Sequence, residues 1–111
     1  MYIDKQGNCW WKGNLHTHTT RSDGHKKPSE AVRLYQKAGY DFLAVTDHWA
    51  LSEPGRYHNM ILIPGMELDT MQRGCWHIVG LGLKQKPDAD RYQNAQQLID
   101  AVREAGGIAV L

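Results

Sequence analysis

The sequence predicts an α/β fold with a largely parallel sheet. Short apolar runs, too brief for helices, recur at residues 42–45, 60–63 and 108–111. Between them lie two stretches with apolar residues at helical spacing, and Gly, Pro and polar clusters mark the boundaries. Strands alternating with helices imply βα units, hence parallel pairing. The 111 residues are enough for one domain with a modest core.

Taken in order, Tyr2-Ile3 and Cys9-Trp10-Trp11 flank the turn formers Asp4-Lys5-Gln6-Gly7-Asn8 and predict a hairpin. Residues 13–19 read as a short strand running into a polar loop, with turn chemistry at Arg21-Ser22-Asp23-Gly24. A helix follows: Pro28 suits its first turn, Ala31, Val32, Leu34, Tyr35 and Ala38 form its stripe, and Gly39 fits its end. Phe42-Leu43-Ala44-Val45 is a buried strand ending at Thr46-Asp47-His48. Residues 49–59, polar and containing Pro54-Gly55, read as a loop. Residues 60–63 form the next strand, ending in Pro64-Gly65-Met66-Glu67, and residues 76–83 the fourth. After a connector at 84–89, the capping-box spacing of Asp90 and Gln93 predicts a second helix, with Leu98, Ile99, Val102 and Ala105 as its stripe. Residues 108–111 give a fifth strand.

Composition excludes several classes. With 41% hydrophobic and 23% charged residues the chain is globular rather than disordered. A net charge of +1 supplies no basic excess to hold a nucleic-acid backbone, which argues against a coating role on DNA or RNA. No apolar run approaches a membrane span, and the first residues lack a signal pattern, so the cytoplasm is the expected location. Cys9 and Cys75 lack CxxC spacing and are expected to be reduced and structural. Gly80-Leu81-Gly82 lacks the Lys-Ser/Thr pair of a phosphate loop. The spacing of the four tryptophans follows no base-stacking motif and suits packing or edge positions.

The chemistry lies in the histidines and acids. In His16-Thr17-His18, side chains two apart on a strand share a face, so two imidazoles can reach one ion. An isolated pair of this kind is more simply two exposed polar residues. Here Asp23 follows in a tight turn, His48 and Glu67 sit at successive strand ends, and His77 begins the strand after. Each has a plain alternative: an Asx turn for Asp23, a hydrogen-bonded strand-end histidine for His48, a solvated acid for Glu67, a core histidine for His77. For Asp47 capping of the following loop is preferred. In parallel α/β folds the C-terminal strand ends gather at one face, where such residues would converge on divalent cations. Together they fit that better than separate buried polar groups, each of which would lose solvation near one sheet end.

The segments NLHTHTTRSDG (14–24), AVTDHW (44–49), PGMEL (64–68) and HIVGLGL (77–83) resemble, in order and spacing, successive motifs of the polymerase and histidinol phosphatase (PHP) superfamily. The resemblance implies the N-terminal part of a distorted barrel of seven β/α units, here about five strands and two main helices over 1–111. It implies two or three metal ions (zinc, manganese or iron) and hydrolysis, most commonly of phosphoesters, by metal-activated water with no protein nucleophile. By position, His16 and His18 would hold a first ion, Glu67 would bridge it to a second completed by His77, and Asp23 and His48 would serve a third. His25 and His58 match no ligand position. Arg21 lies where it could reach an anionic substrate, although a solvated loop arginine is the simpler reading. The family's later Ala-His-Pro and Asp-x-His motifs do not occur here. The expectation is therefore a partial barrel, completed by oligomerisation or by a further segment, acting on a small phosphorylated or ester substrate. The alternatives are a non-catalytic metal-binding piece, or one part of an obligate complex. A nucleic-acid-processing accessory domain is a third reading, which the near-neutral charge disfavours.

Overall fold

In the computed structural model, which describes residues 1–71 and 75–111, one long strand organises the molecule. The elements are β1 (Tyr2–Ile3), β2 (Cys9–Trp10), β3 (Gly13–Asn14), α1 (Pro28–Lys37), β4 (Phe42–Val45), β5 (Gly55–Tyr57), β6 (Met60–Asp69), β7 (His77–Leu81), α2 (Ala95–Glu104) and β8 (Ile108–Val110). β1 and β2 form the separate N-terminal hairpin. The other strands make one curled sheet in the order β3-β4-β6-β7-β8, with β5 also on β6.

The largely parallel sheet expected from the alternation is corrected to a mixed one. β3 with β4 and β4 with β6 are parallel, whereas β5 and β7 on β6, and β8 on β7, are antiparallel. The reason is connection length. β5 joins β6 through the two-residue turn His58-Asn59, with His58 at φ 52°, and a hairpin of that length can only reverse the chain. No helix separates β6 from β7 among the described residues, so no crossover is available there. The loop expected over 49–59 therefore contains a strand, and the strand expected to end at residue 63 continues to Asp69. β4 takes one edge of β6, while β5 (on Met60 to Leu62) and β7 (on Gly65 to Asp69) share the other.

The strand period sorts the side chains of β6 and β7. Met66, Leu68 and Ile78 point into a core with Leu83, Leu98, Val102 and Ala105 beneath α2. A second cluster under α1 joins Leu43, Val45 and Met60 to Val32, Tyr35, Tyr40 and Leu62. Each fully buried leucine contributes about 1.5–3 kcal/mol by leaving water. Gly80 belongs to this packing, since a Cβ there would lie 3.2 Å from both the Leu83 and Val102 side chains. The alternate residues Glu67, Asp69, His77, Val79 and Leu81 occupy the opposite, concave face.

Both helices end in Schellman turns on glycine. Tyr40 N–H donates to the Tyr35 carbonyl across Gly39 (φ 79°), and Gly107 N–H to Val102 across Gly106 (φ 84°). The second helix begins later than its sequence suggests. Asn94 and Gln97 form the capping box, while Asp90 and Gln93 build a separate turn before it, with Asp90 N–H donating to Gln93 Oε1. Cys9 and Cys75 are both free and exposed.

Candidate metal centre

Three segments meet on the concave face. The first is the extended chain after β3, where regular strand stops at Asn14 but the alternation persists through residue 18. Thr46 N–H donates to the Thr17 carbonyl at 2.8 Å, continuing the alignment of β3 with β4. The His16 and His18 rings consequently lie edge-on, 4.9 Å between centroids. The second segment extends β4, where a parallel bridge pairs His48 with Glu67. Glu67 N–H donates to the Asp47 carbonyl at 3.1 Å, and Trp49 N–H to the Glu67 carbonyl at 2.9 Å. The third is the end of β6 with the start of β7, where Asp69 stands opposite His77. His77 thus arrives from the beginning of its strand, because antiparallel pairing brings that beginning to where the parallel strands end.

Three imidazoles share one arrangement. His16 Nδ1 lies 2.7 Å from Thr46 Oγ1. The Thr46 hydroxyl already donates to the Thr17 carbonyl, so it accepts from the ring. His18 Nδ1–H donates to Asp23 Oδ1 at 2.5 Å, and His48 Nδ1–H to Asp69 Oδ1 at 3.2 Å. Fixing the proton on Nδ1 leaves the Nε2 lone pair as the free ligand position. All three Nε2 atoms face a single oxygen, Glu67 Oε2, at 3.7, 2.6 and 3.6 Å from His16, His18 and His48 respectively. Glu67 is only 4% exposed, and Oε2 has no aligned hydrogen-bond donor among the described residues. A buried carboxylate oxygen ringed by imidazole lone pairs is electrostatically incomplete and calls for a cation. The other oxygen, Oε1, accepts from His77 Nδ1 at 2.8 Å.

Three groups have donor atoms close enough together to hold an ion: His16, His18 and Glu67; His18, Asp23 and His48; and His48, Glu67 and His77. The structure thus brings together all six residues singled out in the sequence. Nitrogen and oxygen donors of this kind suit zinc, manganese or iron. Asp23 is placed for two tasks, with Oδ1 on His18 and Oδ2 3.5 Å from His48 Nε2. The hydrogen bond from His18 holds its carboxyl below the ordinary aspartate range. His25 is exposed, and the His58 ring packs on Tyr57 at the β5–β6 turn.

Asp47 does something other than cap the loop that follows it. Its carboxylate accepts from Thr19 N–H (2.7 Å), Thr19 Oγ1 (2.6 Å) and Ser22 Oγ (2.6 Å), fastening the preceding loop that carries His18 and Asp23. Burial pushes this carboxyl up, but the bonds from Ser22 and Thr19 outweigh it and leave the group below its ordinary range.

Sequence reasoning missed Thr46, Trp49, Asp69 and Arg91. Asp69 had a signal, since it stands two residues beyond Glu67 on the same strand face. Trp49 Nε1–H donates to Asp69 Oδ1 at 2.7 Å, so one oxygen fixes both the indole and His48. An open cleft of about 540 Å³ adjoins the centre, lined by Arg21, Ser22, Asp23, His48, Asp69, His77 and Arg91. Arg21 stands in its wall with Nη1 donating to the Leu51 carbonyl at 3.2 Å.

No protein-family model matches the chain. It is 31% identical over 112 aligned positions to a 5′-3′ exoribonuclease of Haemophilus influenzae (strain ATCC 51907 / DSM 11121 / KW20 / Rd), an alignment covering 86% of this chain and 41% of that protein. The chain therefore spans about two fifths of the curated relative it matches. It also superposes on the solved structure of an amidohydrolase from Chromobacterium violaceum, which holds sulfate and no metal, with a TM-score of 0.53 and 22% identity over 84% of this chain and 32% of the other. The likeness is one of fold, a mixed α/β half-barrel. Among the described residues no helix is long and apolar enough to cross a membrane.

Proposed function

We propose that this chain is the metal-holding portion of a PHP-type hydrolase that cleaves phosphoesters. The observation that carries this reading is the convergence of three oriented imidazoles on Glu67 Oε2, a buried oxygen with no aligned donor among the described residues. Two or three divalent ions there, zinc, manganese or iron, would act as Lewis acids on the phosphoryl oxygens and acidify water at neutral pH. His16, His18, Glu67 and His77 would place them, with Asp23 and His48 on the cleft side. Thr46, Asp23 and Asp69 keep the Nδ1 protons of His16, His18 and His48 in place, so those three ligand nitrogens need no reorganisation. The two cleft arginines favour an anionic substrate, and no serine or cysteine nucleophile is required.

The test is metal content by elemental analysis, followed by hydrolysis of an aryl phosphate with added manganese or zinc. A 5′-phosphorylated oligoribonucleotide belongs in the same assay, because the relative from Haemophilus influenzae carries the name exoribonuclease. Turnover lost in His18→Ala is the expected result. Metal binding without turnover of any phosphoester, carbamate or amide would overturn the hydrolase reading.

One observation favours a second reading, in which the chain holds metal without catalysis or works as part of an obligate complex. The His16 and His77 side chains are 49% and 55% exposed, so one flank of the centre stands open. The sheet also ends at β8, which pairs only with β7 among the described residues and leaves Ile108 and Val110 exposed. Such an edge invites another strand. We propose that a second copy or a further segment covers it, and light scattering that finds a compact monomer of these 111 residues at high dilution would count against this.

A further inference from the structure

We infer that Arg91 is the residue that reads the anionic group of the substrate, and that it does so as a guanidinium fork held in place by Trp49 and Asp69. This deepens the phosphoesterase reading and rests on it. Arg91 lies in the turn before α2, away from every motif that carries the metal donors. Its carbonyl accepts from Met71 N–H at 2.8 Å, which ties this turn to the chain just beyond β6. Its guanidinium carbon stands 5.9 Å from the centroid of the Trp49 ring. Its Nε is 3.9 Å from Asp69 Oδ2, the oxygen left over once Oδ1 has taken Trp49 and His48. A cation–π contact with the Trp49 ring and one long ion pair to Asp69 stand behind the guanidinium. Among the described residues no hydrogen bond engages its Nη atoms, and the side chain borders the cleft that His48, Asp23 and His77 also line.

Arg21, the other guanidinium of this cleft, is differently placed. Its Nη1 is engaged by the Leu51 carbonyl, so Arg91 retains the freer fork. A planar pair of N–H donors matches two oxygens of a phosphate, which an ammonium cannot reproduce. Asp69 links recognition to the centre, since the carboxylate that backs Arg91 also orients His48. The ligand chemistry this fits is a phosphate monoester or inorganic phosphate, which keeps at least one more free oxygen for the centre after two have met the fork; a diester has only two non-bridging oxygens and one negative charge.

The experiment is calorimetric titration of inorganic phosphate into the whole chain, with and without manganese, for the wild type and for Arg91→Gln, Arg91→Lys and Arg21→Gln. Manganese titrations run alongside, and circular dichroism checks folding. Arg91→Gln is expected to weaken phosphate binding by about 10- to 100-fold, as loss of hydrogen bonds to a charged group does, while manganese affinity stays as in the wild type. Arg91→Lys should recover only part of the loss, and Arg21→Gln should cost less than Arg91→Gln. If Arg91→Gln does not fold, Arg91→Lys decides alone, with wild-type phosphate affinity overturning the inference. Equal phosphate affinity in wild type and Arg91→Gln overturns it too, as does a wild type that takes manganese but no phosphate. Failure of the metal reading shows separately, as an absence of manganese binding in the wild-type titration.

Discussion

Replacing Glu67 with glutamine tests the centre most directly. The amide keeps the size of the side chain and removes its charge, and Glu67 belongs to two of the three donor groups. At 4% exposure that charge has little screening by water. Removing one member of a buried charged pair costs about 3–5 kcal/mol, so a hundredfold loss of metal affinity, about 2.7 kcal/mol, is a conservative expectation. At a free metal concentration of about 100 Kd, the wild type gains about 2.7 kcal/mol of stability. At about 4–8 °C per kcal/mol this raises Tm by about 11–22 °C. At the same concentration Glu67→Gln would sit near its own Kd and gain about 0.4 kcal/mol, or about 2–3 °C. Without metal the variant should melt no lower than the wild type, because the isolated carboxylate oxygen becomes an amide atom that can pair with a ring nitrogen. The assay is thermal unfolding by circular dichroism in chelator and in manganese or zinc. An undiminished metal-induced rise in Glu67→Gln would refute the reasoning.

Three further outcomes follow from the same geometry. Thr46→Val leaves His16 Nδ1–H and Thr17 N–H without their acceptor; it should lower metal affinity by about 10- to 100-fold and stability by about 1–3 kcal/mol, read by metal titration and urea unfolding. Gly24→Ala puts a Cβ 2.4–2.6 Å from backbone atoms of His18 and Thr19, so the loop must move; about 1–3 kcal/mol of destabilisation, with metal affinity falling too, is expected in the same measurements. Asp4 accepts from Trp10 Nε1 and from Asn8, which lowers its pKa from 3.8 to about 2. Its folded value is the lower one, so its contribution to the N-terminal hairpin is complete above 3.8 and disappears as pH falls toward 2. Trp10 fluorescence should change across that window, and Asp4→Asn should abolish the change.

Periodicity made most of the elements readable. Both helices, β4, the start of β6 and the hairpin of β1 and β2 carry their own apolar spacing and turn residues. The donor residues stood out because histidine and acid recur at strand ends, a local pattern. Strand direction was not readable in the same way. Apolar runs say that a strand is buried and nothing about which way its neighbour runs, so the sequence does not show that β7 is reversed, and β5 carries no apolar run to mark it; β8, antiparallel to β7, runs in the direction of β6 as expected. Pro64-Gly65 resembled a strand end, yet Gly65 N–H and its carbonyl both bond Ser52, a tertiary contact that lets β6 continue. Thr46 and Asp47 look alike in sequence as small polar residues after an apolar run. Their different tasks, holding a ring and fastening a loop, emerge only once the His16–Gly24 segment lies beside β4.

Thr46, Asp47 and His48 are consecutive, and each faces a different client: the first ring, the loop bearing the second, and the shared carboxylate. Adding or deleting one residue within this tripeptide would misdirect all three at once, whereas length changes around the β5 turn would leave them untouched. Natural variation in chain length should therefore gather at the turn between β5 and β6, which lines no part of the cleft beside the centre.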